Sequence, residues 1–330
     1  MSASPFRRLF VAAGLLAAAA LPAAWAQGAA YPSRPVTVIV PFAAGGSVDA
    51  AARMVLQKVS ERLKQPVVIE NVAGAAGTIG TLRAVRSPAD GYTLLFAVAS
   101  PINVAPLVSP GLVKYESLRD LAPIAQVATS PFVLVGSPQV AATGTTQMLE
   151  LARQQPGKLS YGTDGVGTSM HVTASLIEQQ AGVQLMHVPY RSGPQVLTEL
   201  ASGLIDLAVM PVTLAQPFIK DGKVKAYGVT SRQRWGSLPE VPALAESPAL
   251  KNVDVESWYG LFAPAQTDAA LVERIAREVA AAMADADLQR RMLEAGLKPL
   301  VQGPAAFAAT LKAERTSLGA VVAKAGIKAE

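Results

Sequence analysis

Cysteine is absent from the 330 residues. No disulfide, thiolate-held zinc, iron–sulfur cluster or cysteine nucleophile is therefore available to the chain. Histidine occurs only twice, at His171 and His187. Neither has a ligand-spaced partner in sequence, so both read as structural and no multi-histidine metal centre is expected. Aromatic residues make up 5% and charged residues 16%, against 51% hydrophobic. The formal charge of +5 is scattered, too weak an excess to point to nucleic acid, and no run of like charges forms a tail. Enzyme signatures are missing as well. There is no G-x-x-x-x-G-K-[ST] loop, no nucleophile elbow, no H-E-x-x-H and no evident acid/base pair. The cluster at Gly165 and Gly167 carries Met170 where a dinucleotide fingerprint needs its third glycine.

Much of the apolar excess sits at the front. Arg7 and Arg8 are followed by an apolar stretch from Leu9 to Leu21, Pro22, and the small-residue site Ala24-Trp25-Ala26. This is the pattern of a cleaved export signal, residues 1–26, with cleavage before Gln27. A membrane-anchoring helix is the alternative, but the apolar stretch is short and has no basic stop-transfer flank. Cleavage would remove Arg7 and Arg8 and lower the formal charge from +5 to +3. No later segment has the roughly 18 uninterrupted apolar residues of a membrane span, so an exported, soluble, periplasmic protein is expected.

Beyond the signal, short β-branched runs alternate with helical patterns. Val36–Val40, Val67–Ile69, Tyr92–Val98, Lys158–Tyr161, Gln184–Val188, Asp206–Met210 and Lys223–Val229 read as strands. Helices follow at Ala52–Leu63, Thr168–Gln180 and Pro194–Ser202, and the chain is helical from Asp268. This is an α/β protein built from βαβ units with mainly parallel sheets flanked by helices. Two long extended runs, Ala122–Gly136 and Val255–Phe262, look like crossings between two lobes. They place lobe one at 27–128 plus 258–330 and lobe two at 129–257, with a ligand cleft at the hinge.

Three glycine- and hydroxyl-rich turns lie between a strand and a helix: Pro41–Asp49, Tyr161–Ser169 and Tyr190–Pro194. Such turns let backbone N–H groups approach a carboxylate or phosphate at the positive end of a helix. Each also has a plainer reading. A glycine turn can be only a tight connection, and Thr168 or Ser169 only an N-cap. Asp49 can merely tie its loop or complement its own helix dipole, and Arg191 can be a solvated surface charge. What favours a ligand site is that all three turns follow the carboxyl ends of strands, where open α/β sheets bind ligands.

An ordered series of motifs resembles the Bug-family (TctC-like) substrate-binding proteins of the tripartite tricarboxylate transporters. It runs from Tyr31-Pro32-Ser33-Arg34-Pro35 through Pro41-Phe42, Gly45-Gly46, Asp49, Ala52-Arg53, Glu70-Asn71, Gly74, Gly77 and Ile79-Gly80. It continues with Asp90–Leu95, Tyr161-Gly162, His187–Tyr190, Leu238-Pro239, Val241-Pro242, Trp258–Ala265 and Ala325–Lys328. The resemblance implies a two-lobed type II periplasmic-binding-protein fold. It also implies a small organic carboxylate as ligand and delivery to one large and one small membrane subunit. It implies a binding set of Phe42, Ala44, Gly45, Gly46, Ser47 and Asp49 from the first loop, and Ser100 after the third strand. Thr163, Gly167, Thr168 and Ser169 follow from the second turn, Tyr190, Arg191 and Ser192 from the third, and Met210 from the end of the next strand.

The chain also departs from that family. Ser192-Gly193-Pro194-Gln195-Val196 stands where Gly-Ser-x-Pro-Ala is usual, Val48 where Thr is common, and Val72-Ala73 where Arg-Pro is common. Met210 replaces an acid found in many relatives, which argues for a mono- or dicarboxylate with an apolar or aromatic body rather than an amino acid. No cofactor, metal, catalytic residue or nucleic-acid partner is expected, and the protein is expected to act as a monomer. Two other roles fit the same features: a ligand receptor feeding a two-component sensor, and an exported enzyme acting on a small acid. N-terminal sequencing of the exported protein should begin at Gln27; an intact Met1 would overturn the cleavage site.

Overall fold

Five consecutive β-branched residues open the fold. Val36–Val40 forms β1, and a strand of this composition suits the interior of a parallel sheet, covered on both faces. A computed structural model describes residues 31–325. The expected signal, residues 1–26, and the motif residues Gly326-Ile327-Lys328 lie outside the described residues. Tyr31–Ser33, with a cis Tyr31–Pro32 bond, precede a compact unit that begins at Arg34.

In that unit β1 leads to helix α1 (Ser47–Leu63), which buries Val48, Ala51, Ala52, Val55, Leu56 and Val59. Strand β2 (Val67–Asn71), helix α2 (Thr78–Val85) and strand β3 (Thr93–Ala97) follow. Both β2 and β3 pair parallel with β1. The chain then enters β4 (Leu121–Gly136), a strand of 16 residues. After β4 come α3 (Thr145–Gln154), β5 (Ser160–Thr163), α4 (Ser169–Ala181), β6 (Met186–Pro189) and α5 (Gly193–Ser202). Next are β7 (Leu207–Pro211), α6 (Val212–Lys220), β8 (Lys225–Val229) and β9 (Glu256–Pro264). Helices α7 (Ala269–Met283) and α8 (Ala286–Glu294), strand β10 (Lys298–Gln302) and helix α9 (Pro304–Ala325) complete the unit.

The strands run in the order β2-β1-β3-β9-β4-β7-β5-β6, with β8 and β10 also paired to β4. From Leu121 to Pro131, β4 pairs with β9, and its other edge takes β10. From Phe132 onward the same strand lies between β7 and β8. Thr230 fixes the changeover: its Oγ1 accepts the Phe132 N–H at 2.9 Å and donates to the Val255 carbonyl at 2.6 Å. Both crossing segments are therefore tied to one buried hydroxyl. On either side the winding is the same, since β1 and β5 each carry a parallel neighbour on both edges and a crossing strand comes next but one.

Separate apolar clusters fill the two sides. One holds Ile39, Leu95, Ile102, Trp258, Phe262 and Phe307; the other holds Leu134, Tyr161, Val196, Leu207 and Tyr227. Val172 of α4 joins the first cluster, so that helix bridges the two sides. A second bridge is the turn after α8. The Gly296 carbonyl accepts from Ser130 Oγ at 2.9 Å and Trp235 Nε1 at 3.1 Å, while Gln216 Nε2 donates to the Glu294 carbonyl at 2.7 Å. Gly296 has φ +82°, and a Cβ there would meet Val212 Cγ1 at 2.7 Å, so the turn requires glycine twice over.

Strand edges differ from the sequence reading by one or two residues at β5 and β6, an ordinary boundary error. Strand β10, Lys-Pro-Leu-Val-Gln, was not anticipated: its proline and exposed side chains hide it, and it exists by pairing with the edge of β4. Phe307 is fully buried and meets the Trp258 ring edge-on, with centroids 5.2 Å apart. Phe307→Ala should cost about 3–5 kcal/mol of stability in urea unfolding, and a loss below 1 kcal/mol would show that this cluster is not a central part of the core.

Candidate functional site

A cavity of about 610 Å³ opens at the carboxyl ends of the strands, between the two sides of the molecule. The first wall is the β1–α1 loop. Phe42, Ala43, Gly46, Ser47 and Val48 line the cavity, and Gly46 caps α1 without a side-chain hydrogen bond. The loop is held from behind by Asp49, which is buried. Its Oδ2 accepts from the Gly45 N–H at 3.0 Å and Arg53 Nε at 2.9 Å, and its Oδ1 from Asn71 Nδ2 at 3.0 Å. Burial pushes the Asp49 carboxyl up, but its bonds from Arg53, Gly45 and Asn71 together bring it below the usual range. Asp49 therefore positions the loop and does not face the cavity. Ala44 and Gly45 are likewise in the loop but not in the cavity wall.

The second wall is the turn before α2, residues Ala73–Gly77. Ala75 and Ala76 both have positive φ, at 46° and 54°, a conformation that costs a residue bearing a Cβ. The glycine-rich turn was visible in sequence, but nothing there assigned it to the site.

The third wall belongs to the β5–α4 loop. Asp164, Gly165, Val166, Ser169 and Met170 line the cavity, whereas Thr163, Gly167 and Thr168 stand behind it as scaffolding. Thr168 is the N-cap of α4, its Oγ1 accepting from the His171 N–H at 3.4 Å and donating to the Gly165 carbonyl at 3.0 Å. Thr163 Oγ1 lies 2.7 Å from His187 Nε2. The Gly167 N–H donates to His171 Nδ1 at 3.2 Å, which makes Nδ1 the unprotonated nitrogen of that ring. The two imidazoles, distant in sequence, stack at 4.1 Å, with Tyr161 stacked on His187 at 4.9 Å. Burial, with His171 alongside, lowers His187 to about 4, and burial also lowers His171.

Ser100 reaches α4 from the opposite side. Its Oγ accepts from the Ser169 N–H at 2.9 Å and lies 3.0 Å from Ser169 Oγ, and both hydroxyls line the cavity. Tyr190, Arg191, Ser192, Gly193 and Pro194 add the start of α5, and Pro211 and Leu214 the start of α6. Among the described residues the Arg191 guanidinium has no hydrogen-bond or ion-pair partner. Phe132, Ser257 and the buried Tyr259 complete the lining from the crossing strands.

Met210 does not reach the cavity. Successive strand residues face opposite ways, and Met210 is buried in the core while Pro211 faces the site. The acid at the cavity is instead Asp164, one strand away. Burial raises its carboxyl to about 6, although the nearby Thr168 hydroxyl opposes this. The reading from Met210 concerned a ligand amine that would need a carboxylate partner; Asp164 places a carboxylate residue in the cavity wall at another position.

The starts of α1, α4, α5 and α6 all border this cavity. Their positive dipole ends, with Arg191, favour an anion, although at α4 the Ser169 and His171 N–H groups are already taken by Ser100 and Thr168, while Phe42, Val48, Phe132, Met170, Leu214 and Tyr259 make much of the wall apolar. Among the described residues no group of three or more His, Asp or Glu side chains could hold a metal, and no helix is long and apolar enough to cross a membrane.

Two α/β sides wound alike, joined by two crossing strands around such a cavity, define the class of two-lobed solute-binding proteins. The chain belongs to the tripartite tricarboxylate transporter family of receptors, whose family model matches residues 51–327. A Pseudomonas sp. strain P51 protein, described as a UPF0065 protein in the tcbD-tcbE intergenic region, is 39% identical over 289 residues, covering 86% of this chain and 84% of its own. Among solved structures, the periplasmic binding protein BugD is 31% identical with a TM-score of 0.86, covering 91% of this chain and 100% of its own. R. palustris Rpa4515 with adipate is 28% identical with a TM-score of 0.87, covering 90% and 99%.

The histidine pair generates a pH test. With a folded pKa near 4 against about 6.5 unfolded, His187 contributes stability that is complete above pH 6.5 and lost as pH falls toward 4. His187→Gln should therefore cost less stability at pH 5 than at pH 7.5 in urea unfolding. An equal cost at both would contradict the buried neutral imidazole.

Proposed function

We propose that the protein captures a small organic carboxylate in the periplasm and delivers it to a membrane transporter of one large and one small subunit, binding it without chemical change. The observation that carries this reading is the meeting of four helix starts and the unpaired Arg191 at one partly apolar cavity. Adipate in Rpa4515, a relative of the same fold, is a dicarboxylate with an apolar body, and such a ligand suits these walls. Binding closes lobe two (129–257) against lobe one (27–128 plus 258–330) by bending at the crossing strands, and the Ser100–Ser169 hydrogen bond helps to hold the two sides together. The closed monomer is the form the transporter receives.

Each charge-assisted hydrogen bond contributes about 1.5–3 kcal/mol, so a few of them support micromolar or tighter binding after the cost of closure. Mass spectrometry of protein purified natively from the periplasm should recover an unmodified carboxylate. In thermal shift, that acid at about 100 times its Kd should add roughly 2.7 kcal/mol of stability. Arg191→Ala should weaken its binding by about tenfold or more. Recovery of a cationic or neutral ligand, or turnover of the acid during incubation, would sink the proposal.

A further inference from the structure

One backbone carbonyl, that of Gly296 in the turn after α8, is held by two donors of different origin. Ser130 Oγ reaches it at 2.9 Å and Trp235 Nε1 at 3.1 Å. The turn belongs to the first side of the molecule: Asp285, which caps α8, pairs with Lys58 of α1 at 3.1 Å. Ser130 lies on β4 where it still pairs with β9, just before the changeover at Phe132. It therefore sits at the pivot of any rotation between the two sides. Trp235 lies in the loop between β8 and β9 and packs against the apolar cluster of the second side. From that side too, Gln216 Nε2 of α6 bonds the Glu294 carbonyl at the end of α8, at 2.7 Å.

Rotation about the crossing strands thus leaves the Ser130 bond in place and moves the Trp235 and Gln216 bonds. Gln216 Oε1 and Ser237 Oγ, beside the turn, are buried without hydrogen-bond partners, each 3.4 Å from where a Cβ on Gly296 would stand. Such atoms recover hydration when a contact opens, so this joint separates at less cost than an interlocked apolar one. Alongside it runs a groove of about 800 Å³, lined by Arg232 and Trp235 from one side and Leu293 and Lys298 from the other. The joint therefore has room to move. Trp235, Gln216 and Ser130 are all absent from the lining of the ligand cavity. The helix that carries Gln216 nevertheless starts at that cavity, with Leu214 in the wall, so the joint and the cavity shift together.

We infer that Trp235 and Gln216 are positioning residues for capture: bonded to the turn after α8, they hold the two sides in the arrangement that encloses the ligand. This rests on the reading above that binding closes the two lobes. Both bonds are made in the structure, and the cavity takes its walls from both sides. Loosening either bond disfavours that arrangement and weakens binding without touching the ligand.

Calorimetry with adipate, succinate, malate and 3-phenylpropanoate on the full exported chain tests it. Trp235→Phe keeps a ring and loses the N–H, and Gln216→Met keeps the side-chain length and loses the amide. Each variant should bind every acid that the wild type binds about threefold to tenfold more weakly. The factor should be common to all acids, because what is lost is closure and not a ligand contact. Ser130→Ala removes the bond at the pivot. It should keep wild-type affinities within about twofold while lowering the urea-unfolding midpoint. A residue that only braced the fold would move that midpoint and leave the affinities of the folded protein unchanged.

Unchanged affinities in Trp235→Phe and Gln216→Met, losses that differ from acid to acid, or an equal loss in Ser130→Ala overturn the inference and leave the carboxylate reading standing. Binding of none of the acids by the wild type overturns the carboxylate reading instead. Small-angle X-ray scattering of the ligand-free proteins then decides the inference. It requires a larger radius of gyration for Trp235→Phe and Gln216→Met than for the wild type and Ser130→Ala, and equal radii overturn it.

Discussion

The 16 residues of β4 are hydrogen-bonded to β9 and β10 over the longer stretch Leu121–Pro131 and to β7 and β8 over Phe132–Gly136, and the two sides of the molecule hang on that ladder. The changeover comes at Pro131, which has no N–H to give, and at Phe132, whose N–H goes to Thr230 Oγ1 instead of a strand partner. Thr230 also bonds the Val255 carbonyl, so both crossings are fixed relative to each other at one point. Because the crossing strands line the cavity through Phe132, Ser257 and Tyr259, the element that joins the two sides also forms the floor between them.

From that joint the remaining geometry follows. Each side repeats one winding, so each presents the carboxyl ends of its strands, and the starts of the following helices, toward the same space. Helix starts leave backbone donors unsatisfied, and here those donors are held in place by groups standing outside the cavity wall. Asp49 ties the first loop through Gly45, Arg53 and Asn71, and the stacked His187 and His171 brace the β5–α4 loop through Thr163 and Gly167. Polar side chains outside the wall thus hold these loops still, which fixes the backbone that faces the cavity.

Much of this was legible in the residues. The β-branched run at Val36–Val40, the glycine turns, the two long crossings and the four-residue repeat of Leu271, Ile275, Val279 and Met283 each follow from a local period or a local conformational need. Three of the strand-to-helix turns singled out in sequence border the cavity, while the Ala73–Gly77 wall was not assigned to it. What sequence could not separate was a side chain in the wall from one directly behind it. Thr163 and Thr168 look like ligand hydroxyls until their bonds to His187 and to the loop carbonyls are seen. Met210 and Pro211 differ by one position in a strand and therefore face opposite ways.

The sequence by itself determined the element types, their alternation and the chemistry available: no thiols, few imidazoles, many small residues at strand-to-helix turns. These are short-range matters, set by backbone conformation and hydrophobic period within a dozen residues. Only the tertiary structure decided that His171 and His187 stack, that Ser100 meets Ser169 across 69 positions, and that Asp164 rather than residue 210 brings an acid to the cavity. The reason is that a contact between distant residues is set by strand order and side-chain facing together, and neither can be read until the strands have been placed side by side.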